Sequence, residues 1–189
     1  DVESVHRAVL MWRSFSHWVG GMGVLVFMLA LLPMGGASSM HLMRAESPGP
    51  SVGKLVPKVR STAKILYEIY FFLTIVLMIL LVISGCPVFD SINLAFATAG
   101  TGGFAVLNSS AADYNAATQW ILTIFMILFG VNFNVYFLFY VKKWKDGLRC
   151  EEARAYLGII LGSVALISFN IYHLVRNVEL TVRQAAFQV

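Results

Sequence analysis

The sequence predicts an all-α membrane protein: transmembrane helices, with one short helix that enters the bilayer and turns back through a glycine-rich loop. Three observations predict it. Of the 189 residues 58% are hydrophobic and 13% charged, with a mean hydropathy of +0.75, whereas soluble domains hold roughly 45–50% apolar and 25% charged residues. The apolar residues gather in blocks approaching the ~20 helical residues that cross a hydrocarbon layer of about 30 Å. Between two of these blocks, a helix-patterned run too short to span is followed by three glycines within four residues, Gly100, Gly102 and Gly103.

The first block covers residues 18–33 (WVGGMGVLVFMLALLP). It is short for a span unless 15–17 extend it, and Gly20, Gly21 and Gly23 at its start let a neighbouring backbone come close. The second, 65–84, is continuous except for Glu68 near its beginning. A third covers 120–141 and ends at Lys142, Lys143 and Lys145; a fourth covers 156–172. Four transmembrane helices are therefore expected.

Positive charge orients them. Residues 34–64 carry Arg44, Lys54, Lys58, Arg60 and Lys64, and 142–154 carry Lys142, Lys143, Lys145, Arg149 and Arg154, whereas 85–118 carry no Lys or Arg. Short loops rich in Lys and Arg stay cytoplasmic, so the first two connections lie inside and the third outside. Cys86 and Cys150 then fall on opposite sides, out of reach of a disulfide. The net charge of +4 is topological and does not form a nucleic-acid stripe. The N-terminus lacks a signal-peptide pattern, and a chain that starts without Met and stops in an amphipathic run reads as a fragment.

The outer connection is apolar in its first half. Phe89, Ile92, Asn93 and Phe96 fall at helical spacing, with Asp90 or Ser91 suited to the N-cap, so a short helix is expected over about 89–98. Residues 98–104 (TAGTGGF) follow, then a polar exit through Asn108, Ser109 and Ser110. Irregular backbone at membrane depth is tolerated where it is buried in protein or lines a wet cavity. Backbone carbonyls turned inward can replace the hydration shell of a cation, and glycine reaches the conformations that aim them. The helix C-terminus adds partial negative charge. A similar cycle restarts at 180–189, suggesting a repeated unit.

Other residues are read as structural. Asn132 and Asn134 are expected to form interhelical hydrogen bonds, Gly158 and Gly162 to pack helices, and Arg13, His17 and Glu68 to anchor span edges. No nucleophile with a base, metal-ligand cluster or dinucleotide fingerprint points to an enzyme. The alternatives to ion permeation are a membrane scaffold or sensor whose basic loops bind a partner, and a secondary transporter with a discontinuous helix.

Residues 12–23 (WRSFSHWVGGMG), 40–50 (MHLMRAESPGP) and 96–104 (FATAGTGGF) resemble, in the expected order, the Trk/Ktr/HKT superfamily of potassium transporters and within it the bacterial TrkH-type membrane subunit. The resemblance implies repeats of an M1 helix, a pore helix and an M2 helix around one path. Residues 1–33 would end the first repeat, with its M2 at about 15–33. Residues 34–64 would form a cytoplasmic loop and 65–141 the complete second repeat, with the filter at 98–104. A further loop, 142–154, would lead to M1 and the pore-helix start of the third repeat at 155–189. Carried over by residue, the filter is Thr98, Ala99, Gly100, Thr101, Gly102 and Gly103, with K⁺ at Gly100, Thr101 and Gly102 and no bound cofactor. The family further implies a multi-pass protein of the bacterial inner membrane, assembled as a homodimer on a cytoplasmic nucleotide-binding (TrkA-type) regulatory subunit.

Overall fold

The structure, a computed structural model, describes residues 1–23, 59–140, 142, 147 and 150–189, with positions 59–62, 134, 174 and 175 described through their backbone alone. Among these residues all regular structure is helical. In chain order the helices are α1 (Arg7–Gly21), α2 (Val59–Ile83), α3 (Val88–Ala99), α4 (Ala116–Gly130), α5 (Phe133–Tyr140), α6 (Glu151–Val175) and α7 (Val178–Gln188).

Two of them are long and apolar enough to cross a membrane, α2 over Ala63–Ile83 and α6 over Glu151–His173. α2 buries Tyr70, Thr74, Leu77 and Leu81 while Phe71, Phe72, Ile79 and Ile83 face outward. The buried set recurs at helical spacing, one stripe against protein, and the exposed set is as apolar as the buried one, which suits lipid rather than water. α6 likewise exposes Ile159, Leu161, Leu166 and Phe169. Gly158 and Gly162 on it meet nothing within 4 Å, so their close-packing surface has no partner among the described residues. Glu68 forms a surface pair with Lys64 at 3.8 Å.

Of the first expected span, residues 18–21 close α1, while 24–33 lie outside the described residues, as does the expected loop from 34 to 58. The third span differs from expectation: it is not continuous over 120–141. α4 ends at Gly130, Val131 is extended (φ −68°, ψ 140°), and α5 begins at Phe133. Tyr156 of α6 packs against the end of α4 at the break, where a methyl at Gly130 would be driven into its hydroxyl and would lie 3.0 Å from its Cζ. Carbonyls near the break receive hydroxyl donors, Leu128 from Tyr136 at 2.7 Å and Ile127 from Tyr156 at 3.3 Å, which keeps buried backbone satisfied. Asn132 donates to the Glu152 carboxylate at 2.7 Å, the interhelical bond expected of it; the side chain of Asn134 lies outside the described residues.

The core gathers where α1, α2, α3 and α4 meet, around Trp18, Tyr70, Leu94, Ala99, Phe125 and Phe129. Polar bonds join α1 to α2 inside it. The Tyr70 hydroxyl donates to the Trp18 carbonyl at 2.9 Å, and the Trp18 indole donates to Thr74 Oγ1 at 3.1 Å. The Thr74 hydroxyl in turn donates to the Tyr70 carbonyl at 2.8 Å. Ring stacking of Trp18 on Tyr70, 5.7 Å between centroids, closes the same contact.

α3 starts differently from its sequence reading. Its N-cap is Pro87, without a side-chain cap bond, because the two residues read as caps are engaged elsewhere. Asp90 sits in the first turn and accepts the Tyr114 hydroxyl at 2.9 Å. Ser91 turns back and donates to the Cys86 carbonyl at 3.2 Å. Near the C-terminus α6 stops at Arg176 in the left-handed region (φ 53°), and Asn177 caps α7 by accepting the Leu180 N–H.

Candidate ion-coordinating loop

α3 and the segment leaving it both lie along α1, in opposite directions. Going down α1, Arg7 stands 5.4 Å over the Phe89 ring, Phe15 is 6.0 Å from Phe96, and Trp18 is 5.3 Å from Phe96. At the foot, Gly21 meets Gly100: a methyl on Gly21 would lie 2.7 Å from the Gly100 Cα. Coming back up, Phe104 stacks edge-on with His17 at 5.3 Å, Arg13 donates to the Ala105 carbonyl at 2.8 Å, and the Val2 N–H donates to the Asn108 side chain at 2.8 Å. The chain therefore descends as a helix, reverses at the glycines and returns as irregular backbone.

The reversal is built by helix-capping geometry. The Thr101 N–H bonds the Thr98 carbonyl at 3.0 Å and the Gly102 N–H bonds the Ala97 carbonyl at 2.8 Å, the paired bonds of a Schellman motif. That motif needs a left-handed residue just past the cap and usually uses glycine; here it is Thr101, at φ 56°. A β-branched residue there is a genuine outlier, held by its surroundings at a cost of order 1–3 kcal/mol. Its hydroxyl donates to the Gly100 carbonyl at 2.7 Å. Gly103 is left-handed as well, at φ 66°, so the backbone changes hand twice within three residues.

Each residue expected to form the loop takes a distinct place. Thr98 is buried in the last turn of α3, and its carbonyl turns back into the cap. Ala99 is also buried, and its carbonyl oxygen lies 3.3 Å from where a Gly21 methyl would stand. Gly100 packs on the His17 backbone, where a methyl would come within 2.9 Å of the carbonyl oxygen. Gly102 faces the Phe104 and His17 rings, whereas among the described residues nothing lies within 4 Å of the side-chain position of Gly103. Among the described residues no donor reaches the carbonyls of Thr101, Gly102 or Gly103. In front of the loop lies a cavity of about 430 Å³, walled by Thr98, Thr101 and Gly103 on one side and by Phe187 and Gln188 of α7 on another.

Arg13 and His17 are more than span anchors. With Gly21 they stand at positions i, i+4 and i+8 of α1, one face of a helix, and all three touch the loop or its exit. Their spacing was visible in the sequence, but nothing in it showed that the loop, some eighty residues away, lies on that face. Further out, burial and the Asp90 carboxylate push the Tyr114 phenol well above its ordinary range, so the Asp90–Tyr114 bond that ties α3 to its exit keeps its proton at neutral pH.

The chain is similar to known proteins. Residues 1–169 match the family described as TrkH, cation transport protein. The chain is 35% identical over 193 residues to the Trk system potassium uptake protein TrkH of Salmonella typhimurium and 34% identical over 196 residues to that of Escherichia coli K12. Each alignment takes in 100% of this chain and 40% of the relative, so the chain spans about two fifths of the length of these proteins. The crystal structure of the potassium transporter TrkH from Vibrio parahaemolyticus superposes with a TM-score of 0.74 at 25% identity, over 99% of this chain and 38% of that one. A family match over nearly the whole length, with the helical fold in common, places the chain in the TrkH family of cation transport proteins.

Proposed function

We propose that this chain forms part of the conducting core of a potassium-uptake transporter, with residues 98–103 as one backbone strand of its selectivity filter. The observation that carries the reading is the depth of the reversal. Gly21, Gly100 and the Tyr70 hydroxyl converge on one point, and Tyr70 lies thirteen residues before the end of α2 at Ile83. At ~1.5 Å per residue that is about 20 Å down a helix long enough to span, well inside a hydrocarbon layer of about 30 Å. Irregular backbone at that depth calls for protein cover or a wet path; α1 covers one side and the cavity lies on another.

The chemistry follows from dehydration. A K⁺ ion that leaves water needs oxygen ligands, and carbonyls that no N–H already holds can supply them. Thr101, Gly102 and Gly103 offer such carbonyls, while Gly100 shares its own with the Thr101 hydroxyl. The end of α3 directs partial negative charge to the same place. Thr98 contributes by closing the cap, and Ala99 by its contact with α1. The similarity to proteins named Trk system potassium uptake proteins supports K⁺ as the transported ion.

In this reading 65–141 is one complete helix, pore helix and helix unit, and α6 with α7 begins the next. The remaining strands of the filter come from other repeats of the intact protein. The family resemblance further supports a place in the bacterial inner membrane, a homodimer, and a cytoplasmic nucleotide-binding regulatory subunit docked near the basic tracts. Growth at low external K⁺ tests the function: cells lacking their K⁺-uptake systems should grow when given the intact gene. Introducing Gly103→Ser should relax the preference of uptake for K⁺ over Na⁺. Normal uptake with an unchanged ion preference in that variant would argue against residues 98–103 as the filter.

A further inference from the structure

The outgoing limb of the loop, from Gly102 to Ala105, is held from behind by a side chain to which the ion-path reading gives no role. Arg13 donates from Nη2 to the Ala105 carbonyl at 2.8 Å, and its guanidinium carbon stands 4.3 Å over the Phe104 ring. The two contacts use different properties of one cation: a terminal N–H donates while the charge rests over an aromatic face. Among the described residues no carboxylate pairs with it, and its Nε is buried without a partner. Ordering a long charged side chain with only one described acceptor is unfavourable for stability alone, and local strain or under-satisfaction of this kind gathers at functional sites.

We propose that Arg13 is a positioning residue for ion selectivity, fixing Phe104 and Ala105 and, through them, the direction of the Gly102 and Gly103 carbonyls. It rests on the reading of residues 98–103 as the filter strand. Gly103 needs such a hold because it is left-handed and, among the described residues, nothing lies within 4 Å of its side-chain position and no donor reaches its carbonyl. The limb is pinned on both sides of it, at Gly102 by the His17 and Phe104 rings and at Ala105 by Arg13. Releasing the second pin leaves the peptide planes between them free to rotate, which alters the cage offered to the ion without unfolding the helices.

Arg13→Gln, Arg13→Lys and Phe104→Leu in the intact transporter test this, with K⁺ and Na⁺ uptake measured at matched protein abundance in cells lacking other K⁺ uptake, beside Gly103→Ser. A hydrogen bond to a charged group has a net worth that corresponds to at least about tenfold in an equilibrium. Arg13→Gln is therefore expected to lower the K⁺ over Na⁺ uptake ratio about tenfold with abundance kept. Phe104→Leu should give a similar fall, and the double variant should be no worse than either single one, because both release the same limb. Arg13→Lys, which keeps the charge but not the flat fork, should fall in between. If Arg13→Gln does not accumulate, Phe104→Leu decides by the same ratio. An unchanged ratio in the Arg13 and Phe104 variants while Gly103→Ser lowers it would overturn the positioning role alone. An unchanged ratio in all of them would overturn the filter reading as well.

Discussion

Gly21 and Gly100 bring two backbones into contact at the foot of α1, with room for no side chain: a methyl on Gly21 would stand 2.7 Å from the Gly100 Cα. One on Gly100 would stand 2.5 Å from the His17 ring carbon Cδ2. Close helix approach of this kind depends on small residues. Gly21→Ala is expected to push the loop off α1, cutting K⁺ uptake by the intact protein more than tenfold, since overpacking costs typically 1–3 kcal/mol. Gly20→Ala should be close to neutral, because among the described residues nothing lies within 4 Å of that position. Uptake assays on the pair check the contrast, and equal effects would contradict the contact.

Gly102 and Gly103 should respond differently to the same substitution. At Gly102 an alanine methyl would lie 2.5 Å from the Phe104 ring and 2.9 Å from the His17 Nε2, so Gly102→Ala must displace a ring and should lower both the amount of assembled protein and its flux. At Gly103 no described residue crowds the position, and the cost is the left-handed backbone, about 1–2 kcal/mol for an L-residue. Gly103→Ala should therefore accumulate near wild-type level and show its defect in ion preference. Quantifying abundance and the K⁺ to Na⁺ uptake ratio together separates the two.

Thr101 gives a prediction of opposite sign for stability and function. Glycine tolerates φ 56° without strain, so Thr101→Gly should raise the thermal stability of the purified intact protein by about 0.5–1 kcal/mol after the extra chain entropy of glycine is deducted. It also removes the hydroxyl that holds the Gly100 carbonyl at 2.7 Å, and K⁺ selectivity should fall. Thermal unfolding with uptake in parallel is the measurement. A destabilised variant would mean that the hydroxyl bond outweighs the backbone strain.

Tyr70→Phe removes the donor to the Trp18 carbonyl, a 2.9 Å bond with a buried tyrosine. Leaving a buried acceptor without its partner costs about 1–3 kcal/mol. A corresponding drop in thermal stability is expected, with ion preference retained, because the ring stack on Trp18 stays.

The Asp90–Tyr114 pair predicts an alkaline limit. The folded phenol holds its proton above the ordinary tyrosine range, first through burial and then through the carboxylate beside it. Below the unfolded value, near pH 10, the bond contributes fully. As pH rises from there through the higher folded value, that contribution is lost. Tyr114→Phe should thus be less stable than wild type at neutral pH, and the gap should narrow above about pH 10. Thermal melts at pH 7 and pH 11 on both proteins test it.

The membrane setting, the short helix over 88–99 and the glycine turn after it were legible in the sequence because each is local. Block length, helical spacing of Phe89, Ile92 and Phe96, and clustered glycines follow from neighbours along the chain. The residues of the candidate loop were legible for the same reason, helped by their resemblance to a family. The tertiary structure decided what depends on residues far apart. It broke the third span at Val131, where Tyr156 of another helix packs beside Gly130. It replaced Asp90 and Ser91 as caps with Pro87, because Tyr114 and the Cys86 carbonyl engage them. It also moved Arg13 and His17 from span edges to the back of the loop. Periodicity shows which residues share a face of α1, but only packing shows what that face meets, since the contact energy belongs to pairs that the chain order does not bring together.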